Sequence, residues 1–87
     1  MNNQKLPKWF NGTVYQDGAT VENPFSGASC ELNNLELSMY DFIMGATMIL
    51  EQLGAWNSKT EKIQKQLSAG LRWFRVHNGD AYMTLLD

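Results

Sequence analysis

The run from residue 36 to 53, Glu-Leu-Ser-Met-Tyr-Asp-Phe-Ile-Met-Gly-Ala-Thr-Met-Ile-Leu-Glu-Gln-Leu, carries more apolar side chains than one helix face can bury. At about 100° per residue, Met39, Phe42, Ile43, Ala46, Ile49, Leu50 and Leu53 share one broad stripe. Leu37, Met44 and Met48 form a second ridge on the other side. Such a helix is either central to its domain or meets a partner.

A chain of 87 residues makes a single domain, 1–87, with residues 1–8 expected as a loosely ordered tail. The interior of a domain this small is limited, so a second subunit is a natural way to extend the core. Apolar residues at 44% and charged residues at 18% place the chain among globular proteins, away from the charge-rich composition of disorder. The N-terminus lacks a signal-peptide core and no run is long enough to span a membrane, so an intracellular soluble protein is expected. Cys30 is the sole cysteine, which excludes an internal disulfide and suits a small, half-buried strand residue. Asn11-Gly12-Thr13 matches a glycosylation sequon, but without secretory features it reads as a turn.

The local signals predict an α+β domain. Thr13-Val14-Tyr15-Gln16 and Ala19-Thr20-Val21-Glu22 flank Asp17-Gly18, the dipeptide that favours a type I′ hairpin turn. Asn23-Pro24-Phe25-Ser26-Gly27 follows as a second turn, and Ala28 to Leu32 pairs as a third short strand. Asn33 or Asn34 caps the central helix, with Glu36 three residues after Asn33 in capping-box spacing, and Gly54 ends it. Asn57 and Ser58 start a second helix, again with capping-box spacing from Ser58 to Glu61, running to about Asn78 before Gly79. The short connection makes the two helices antiparallel. Asp80 caps a final helical turn through Leu86. The expected architecture is a short antiparallel β-meander packed on an antiparallel helix pair, with a short C-terminal helix.

Charge is segregated along the chain. Residues 9 to 58 hold Asp17, Glu22, Glu31, Glu36, Asp41 and Glu51 with no Lys or Arg, whereas five of seven cations fall between 59 and 75. Such a division attracts within a monomer, steers two subunits together, or serves different partners. In the second helix Ile63, Leu67, Gly70, Leu71 and Phe74 line the core face. Lys62, Lys65 and Arg72 lie opposite, extended by Lys59 and Arg75. Trp73, Ala69 and Val76 fall beside those cations. Trp73 is therefore the foremost candidate for an interfacial aromatic, the alternative being that it folds over the meander edge or covers Trp56. Together, Leu37, Met44, Met48, Trp73 and Val76 form the candidate protein interface. Ser38, Gly45 and Gln52 recur every seven residues and leave a seam beside the Leu37, Met44 and Met48 ridge where a second copy can approach. The bland reading is that Trp9-Phe10 or the meander covers that seam.

No catalytic, cofactor or metal residues are assigned. His77 is the only histidine and no orienting partner is predicted for it; at a helix end it more often hydrogen-bonds a carbonyl. Glu36, Asp41 and Glu51 read as solvated or capping groups. Ser26 lacks the context of a nucleophile elbow, and neither a phosphate-binding loop nor a dinucleotide fingerprint is present. The basic face of the second helix, Lys62, Lys65, Arg72 and Arg75, supports nucleic-acid contact as an alternative. A pI near 5.2 argues against it.

Val21 to Gly27, Leu35 to Gly45 and the ending Leu71-Arg72-Trp73-Phe74-Arg75 through Ala81 to Asp87 resemble small uncharacterised proteins of bacteriophages, especially marine cyanophages, and related marine metagenomic sequences. The likeness covers most of the chain from about Trp9 onward. It implies a phage origin and carries over neither an activity nor functional residues. The expected function is that of a non-enzymatic phage accessory protein that binds another protein, in the host cytoplasm or the virion. A host or virion protein, or a second copy in a homodimer, is the expected partner.

Overall fold

The computed structural model describes residues 4–53 and 60–86. Its elements, in chain order, are β1 (Ala19–Glu22), β2 (Ser29–Leu32), α1 (Asn34–Leu53), α2 (Glu61–His77) and α3 (Gly79–Leu85). The α+β architecture, helix pair and short C-terminal helix agree with the sequence. Gly54, Trp56, Asn57, Ser58 and Lys59, to which the sequence assigned a helix stop, a packing partner, a cap and one cation, lie outside the described residues.

The sheet departs from the expected three strands. β1 pairs antiparallel with β2, Ala19 opposite Leu32 and Val21 opposite Cys30, so the hairpin turns at Asn23–Gly27 and not at Asp17-Gly18. A type I′ turn needs positive φ at both central residues. Among the described residues only Gly27 has it, at 78°. That left-handed glycine closes the loop with its N–H on the Asn23 carbonyl at 2.9 Å, while the Asn23 side chain accepts from Phe25 N at 2.8 Å. The asparagine also donates to the Thr84 carbonyl at 2.9 Å, which ties the turn to α3.

Gly18 serves a different purpose. A Cβ there would overlap the Leu32 carbonyl oxygen, so the segment entering β1 crosses the end of β2 at backbone contact. Residues 13–16 consequently run as irregular backbone over α1. There Tyr15 N donates to Ser38 Oγ at 2.9 Å, and the Ser38 hydroxyl donates to the Asn34 carbonyl at 2.7 Å.

The capping box forms as its spacing predicts. Glu36 N donates to Asn33 Oδ1 at 2.8 Å, and Asn33 N donates to Glu36 Oε1 at 3.0 Å, satisfying two donors that a helix start leaves orphaned. Met39, Ile43, Ala46 and Leu50 of α1 are buried, as are Leu67, Gly70, Trp73 and Phe74 of α2. The early part of α1 meets the late part of α2: Met39 Sδ would lie 3.1 Å from a Cβ at Gly70, and the Tyr40 and Phe74 rings are 6.4 Å apart. The helices are therefore antiparallel, and Gly70 lets them approach closely. Phe74, with no exposed surface, sits at the centre; full burial of a side chain this size stabilises by about 2–3 kcal/mol. Leu32, Ala81 and Leu85 close the core from the hairpin and α3.

Asn78, not Asp80, caps α3. Its Oδ1 accepts from Ala81 N at 3.1 Å, while its own N–H completes α2 on the Phe74 carbonyl at 2.8 Å. One residue thus ends one helix and begins the next.

Candidate protein-binding groove

The N-terminal segment shapes the site. Gln4 Nε2 donates to Glu36 Oε2 at 2.7 Å, and Asn33 Nδ2 donates to Gln4 Oε1 at 2.9 Å. The Trp73 indole N–H donates to the Lys5 carbonyl at 2.8 Å. Trp9 and Phe10 then pack on Phe42, with ring centroids 5.4 and 5.7 Å away. Residues 4–10, most of which belong to the expected loose tail, are thereby laid against both helices.

Where this segment passes α2, Pro7 and the α2 residues Ala69, Arg72, Trp73, Val76 and His77 enclose an open groove of about 440 Å³. A smaller hollow of about 320 Å³ continues beside it, between Trp9, Lys62, Lys65 and Ala69. The groove floor is apolar and aromatic: His77 lies against Trp73 with ring centroids 4.4 Å apart. Arg72 lines the groove, and Lys62 and Lys65 line the adjoining hollow. Lys65 meets Glu61 at 3.1 Å in an exposed pair, an arrangement worth a few tenths of a kcal/mol. Arg75 stands 6.0 Å from the Tyr82 ring. Among the described residues no carboxylate pairs with Arg72.

Three sequence-selected residues meet here, Arg72, Trp73 and Val76. Val76 is 70% exposed, but Trp73 is only 9% exposed. Trp73, which the sequence offers as an exposed or interfacial aromatic, is not exposed: its N–H is taken up by the Lys5 carbonyl, and the residue contributes to the groove lining. Leu37, Met44 and Met48 belong elsewhere, on the outer side of α1. Leu37 packs half-buried against the core, while Met44 and Met48 are 40% and 59% exposed. Of the seam beside them, Ser38 is fully buried beneath Tyr15 and so is not open to a second copy, while Gly45 and Gln52 are exposed. Lys62, Lys65, Arg72 and Arg75 are all exposed along α2.

Glu36 is the polar centre that sequence reasoning undervalued. Only 6% exposed, it accepts from Gln4, from Asn33 N and, at 3.2 Å, from Asn78 Nδ2, joining the N-terminal segment, the start of α1 and the α2–α3 joint. The capping spacing was legible; the two distant amide partners were not. Burial, then the charge of Glu36, pushes the Cys30 thiol above its ordinary 9.0, which favours the unreactive thiol. The charge of Asp41, then burial, then a hydrogen bond to Asp41 raises the pKa of Tyr15. Ser26 Oγ accepts from Ala28 N within the turn. Among the described residues no cluster of His, Cys, Asp or Glu is placed to hold a metal ion, and no helix is long and apolar enough to cross a membrane.

No family model matches the chain, and none of the curated proteins or solved structures compared with it gives a match.

Proposed function

We propose that this is a non-enzymatic accessory protein, of phage origin as its sequence resemblance implies, that acts by binding another protein in the host cytoplasm or the virion. The observation supporting this reading is the groove on α2, where an apolar, aromatic floor lies beside Arg72, with which no carboxylate among the described residues pairs. Trp and Arg are over-represented among residues that anchor protein interfaces. Glu36 and Asp41 have structural work, in the Glu36 hydrogen bonds and the Tyr15–Asp41 pair.

The test is capture of partners from the host with the tagged chain, followed by reconstitution with the purified partner. Val76→Asp and Arg72→Glu should abolish binding, whereas Phe25→Ser, at the exposed hairpin tip, should preserve it. A partner held equally by all three variants would overturn the groove as the site. The nucleic-acid alternative rests on the exposed cations Lys62 and Lys65 beside Trp9. It predicts retention of DNA or RNA with an affinity that falls steeply with salt and weakens in Lys65→Ala and Arg72→Ala.

A further inference from the structure

We infer that the groove on α2 receives the outward face of α1 from a second copy, so that the chain assembles head to tail. This names a partner for the same groove and rests on the reading above.

On α1, Asp41, Met44, Met48 and Glu51 follow one another at steps of three, four and three residues, so they form one stripe. All four are exposed, opposite the buried Met39, Ile43, Ala46 and Leu50. On α2, Lys65, Ala69, Arg72 and Val76 are spaced four, three and four, and all are exposed opposite Leu67, Gly70 and Phe74. The first stripe is acid, Met, Met, acid; the second is basic and small or apolar, and three of its members line the groove. Charge and shape are thus complementary between the two stripes of one sequence.

The lengths agree too. Asp41 and Glu51 are ten residues apart and the α2 stripe from Lys65 to Val76 spans eleven, about 15 to 17 Å along the helix axes. An antiparallel approach, the orientation helix dipoles favour, sets Glu51 at Lys65, Met48 at Ala69, Met44 in the groove beside Trp73, and Asp41 one turn beyond, within reach of the Arg72 guanidinium. Thioether against indole edge is a favourable contact. The local partners of these charges, Glu61 for Lys65 and Tyr15 for Asp41, leave both groups exposed and able to bridge.

The buried stripes of α1 and α2 face each other across the core, so the outer stripes point away from each other. One neighbour cannot engage both. The contact is therefore heterologous, and it repeats instead of closing as a twofold dimer.

Sedimentation velocity on the purified chain and its variants tests this. Wild type should show a mass that climbs beyond two chains with concentration and falls as salt rises from about 0.05 M to about 0.5 M. Met44→Asp alone and Val76→Asp alone should each be monomeric, with wild-type circular dichroism because both sites are exposed. Mixed together they should form a species of twice the chain mass, since each retains the stripe the other lacks. A monomeric wild type, a self-associating Val76→Asp, or a mixture that stays monomeric would overturn the inference. None of these results bears on capture of a different partner through the groove, which fails only if Val76→Asp and Arg72→Glu both leave that capture intact.

Discussion

The Trp73 indole donates its N–H to the carbonyl of Lys5, a residue 68 positions earlier, across 2.8 Å. This one bond fixes the N-terminal segment on α2 and leaves Pro7 as a wall of the groove. Trp73→Phe keeps an aromatic body but removes the donor, leaving the Lys5 carbonyl to water. The expected loss is about 1 kcal/mol in urea denaturation, the usual net worth of a hydrogen bond. Hydrogen exchange should accelerate at residues 5–10 and remain unchanged in the centre of α1.

Glu36→Ala should be more damaging. It removes the reciprocal cap of α1 and deprives the Gln4 and Asn78 amides of their shared acceptor. Loss of a cap costs about 1 kcal/mol and loss of hydrogen bonds from the half-buried Gln4 and Asn78 amides to a charged acceptor about 1.5–3 kcal/mol, so a total near 3 kcal/mol is expected. Glu36→Gln retains an acceptor oxygen and should lose roughly half as much by the same reasoning. Chemical denaturation of both variants, with equal effects as the contrary result, decides this.

Two glycines should respond in opposite directions to the same substitution. Nothing lies within 4 Å of a Cβ added at Gly45, which sits mid-helix on the outer side of α1. Gly45→Ala should therefore stabilise by about 0.5–1 kcal/mol through helix propensity alone. A Cβ at Gly70 meets Met39 Sδ at 3.1 Å and Ile43 Cγ1 at 3.5 Å, so Gly70→Ala requires the fully buried Met39 side chain to give by a few tenths of an ångström in a packed core. A loss of about 1–3 kcal/mol is expected from such overpacking, visible as a lower Tm.

Alkaline pH should weaken the fold. Tyr15, Tyr40 and Cys30 all have pKa values raised above their ordinary 10.0, 10.0 and 9.0, Tyr15 by the Asp41 charge first and the other two by burial first. A raised folded-state pKa favours the protonated form. The associated stability is complete below the unfolded pKa and lost as pH rises through the folded one. Stability should thus hold near neutrality and decline from about pH 9 upward. In Asp41→Asn the tyrosinate absorbance of Tyr15 should appear at lower pH than in wild type; an unmoved titration would refute the pairing.

Sequence alone determined what depends on neighbours within a turn or two of helix. The Asn33–Glu36 cap, the buried stripe of Met39, Ile43, Ala46 and Leu50, and the core positions Leu67, Gly70 and Phe74 follow from periodicity and spacing, and the structure contains each of them. Half of the candidate groove was visible in the same way, since Arg72, Trp73 and Val76 fall beside one another on α2. Tertiary structure decided whatever required a choice among distant partners. Ala19–Glu22 had two local turn signals and took the later one, because Ser29–Leu32 offers a paired strand whose Leu32 enters the core, while Tyr15 is held on Ser38 of α1. Asn78 displaced Asp80 as the cap of α3 because it simultaneously closes α2 and reaches Glu36. The surplus apolar surface of α1 was split by the same long-range packing. Phe42 is covered by Trp9 and Phe10, while Met44, Met48, Ile49 and Leu53 stay exposed. A hydrophobic pattern states which side chains favour burial, but only the docked segments decide which of them are covered.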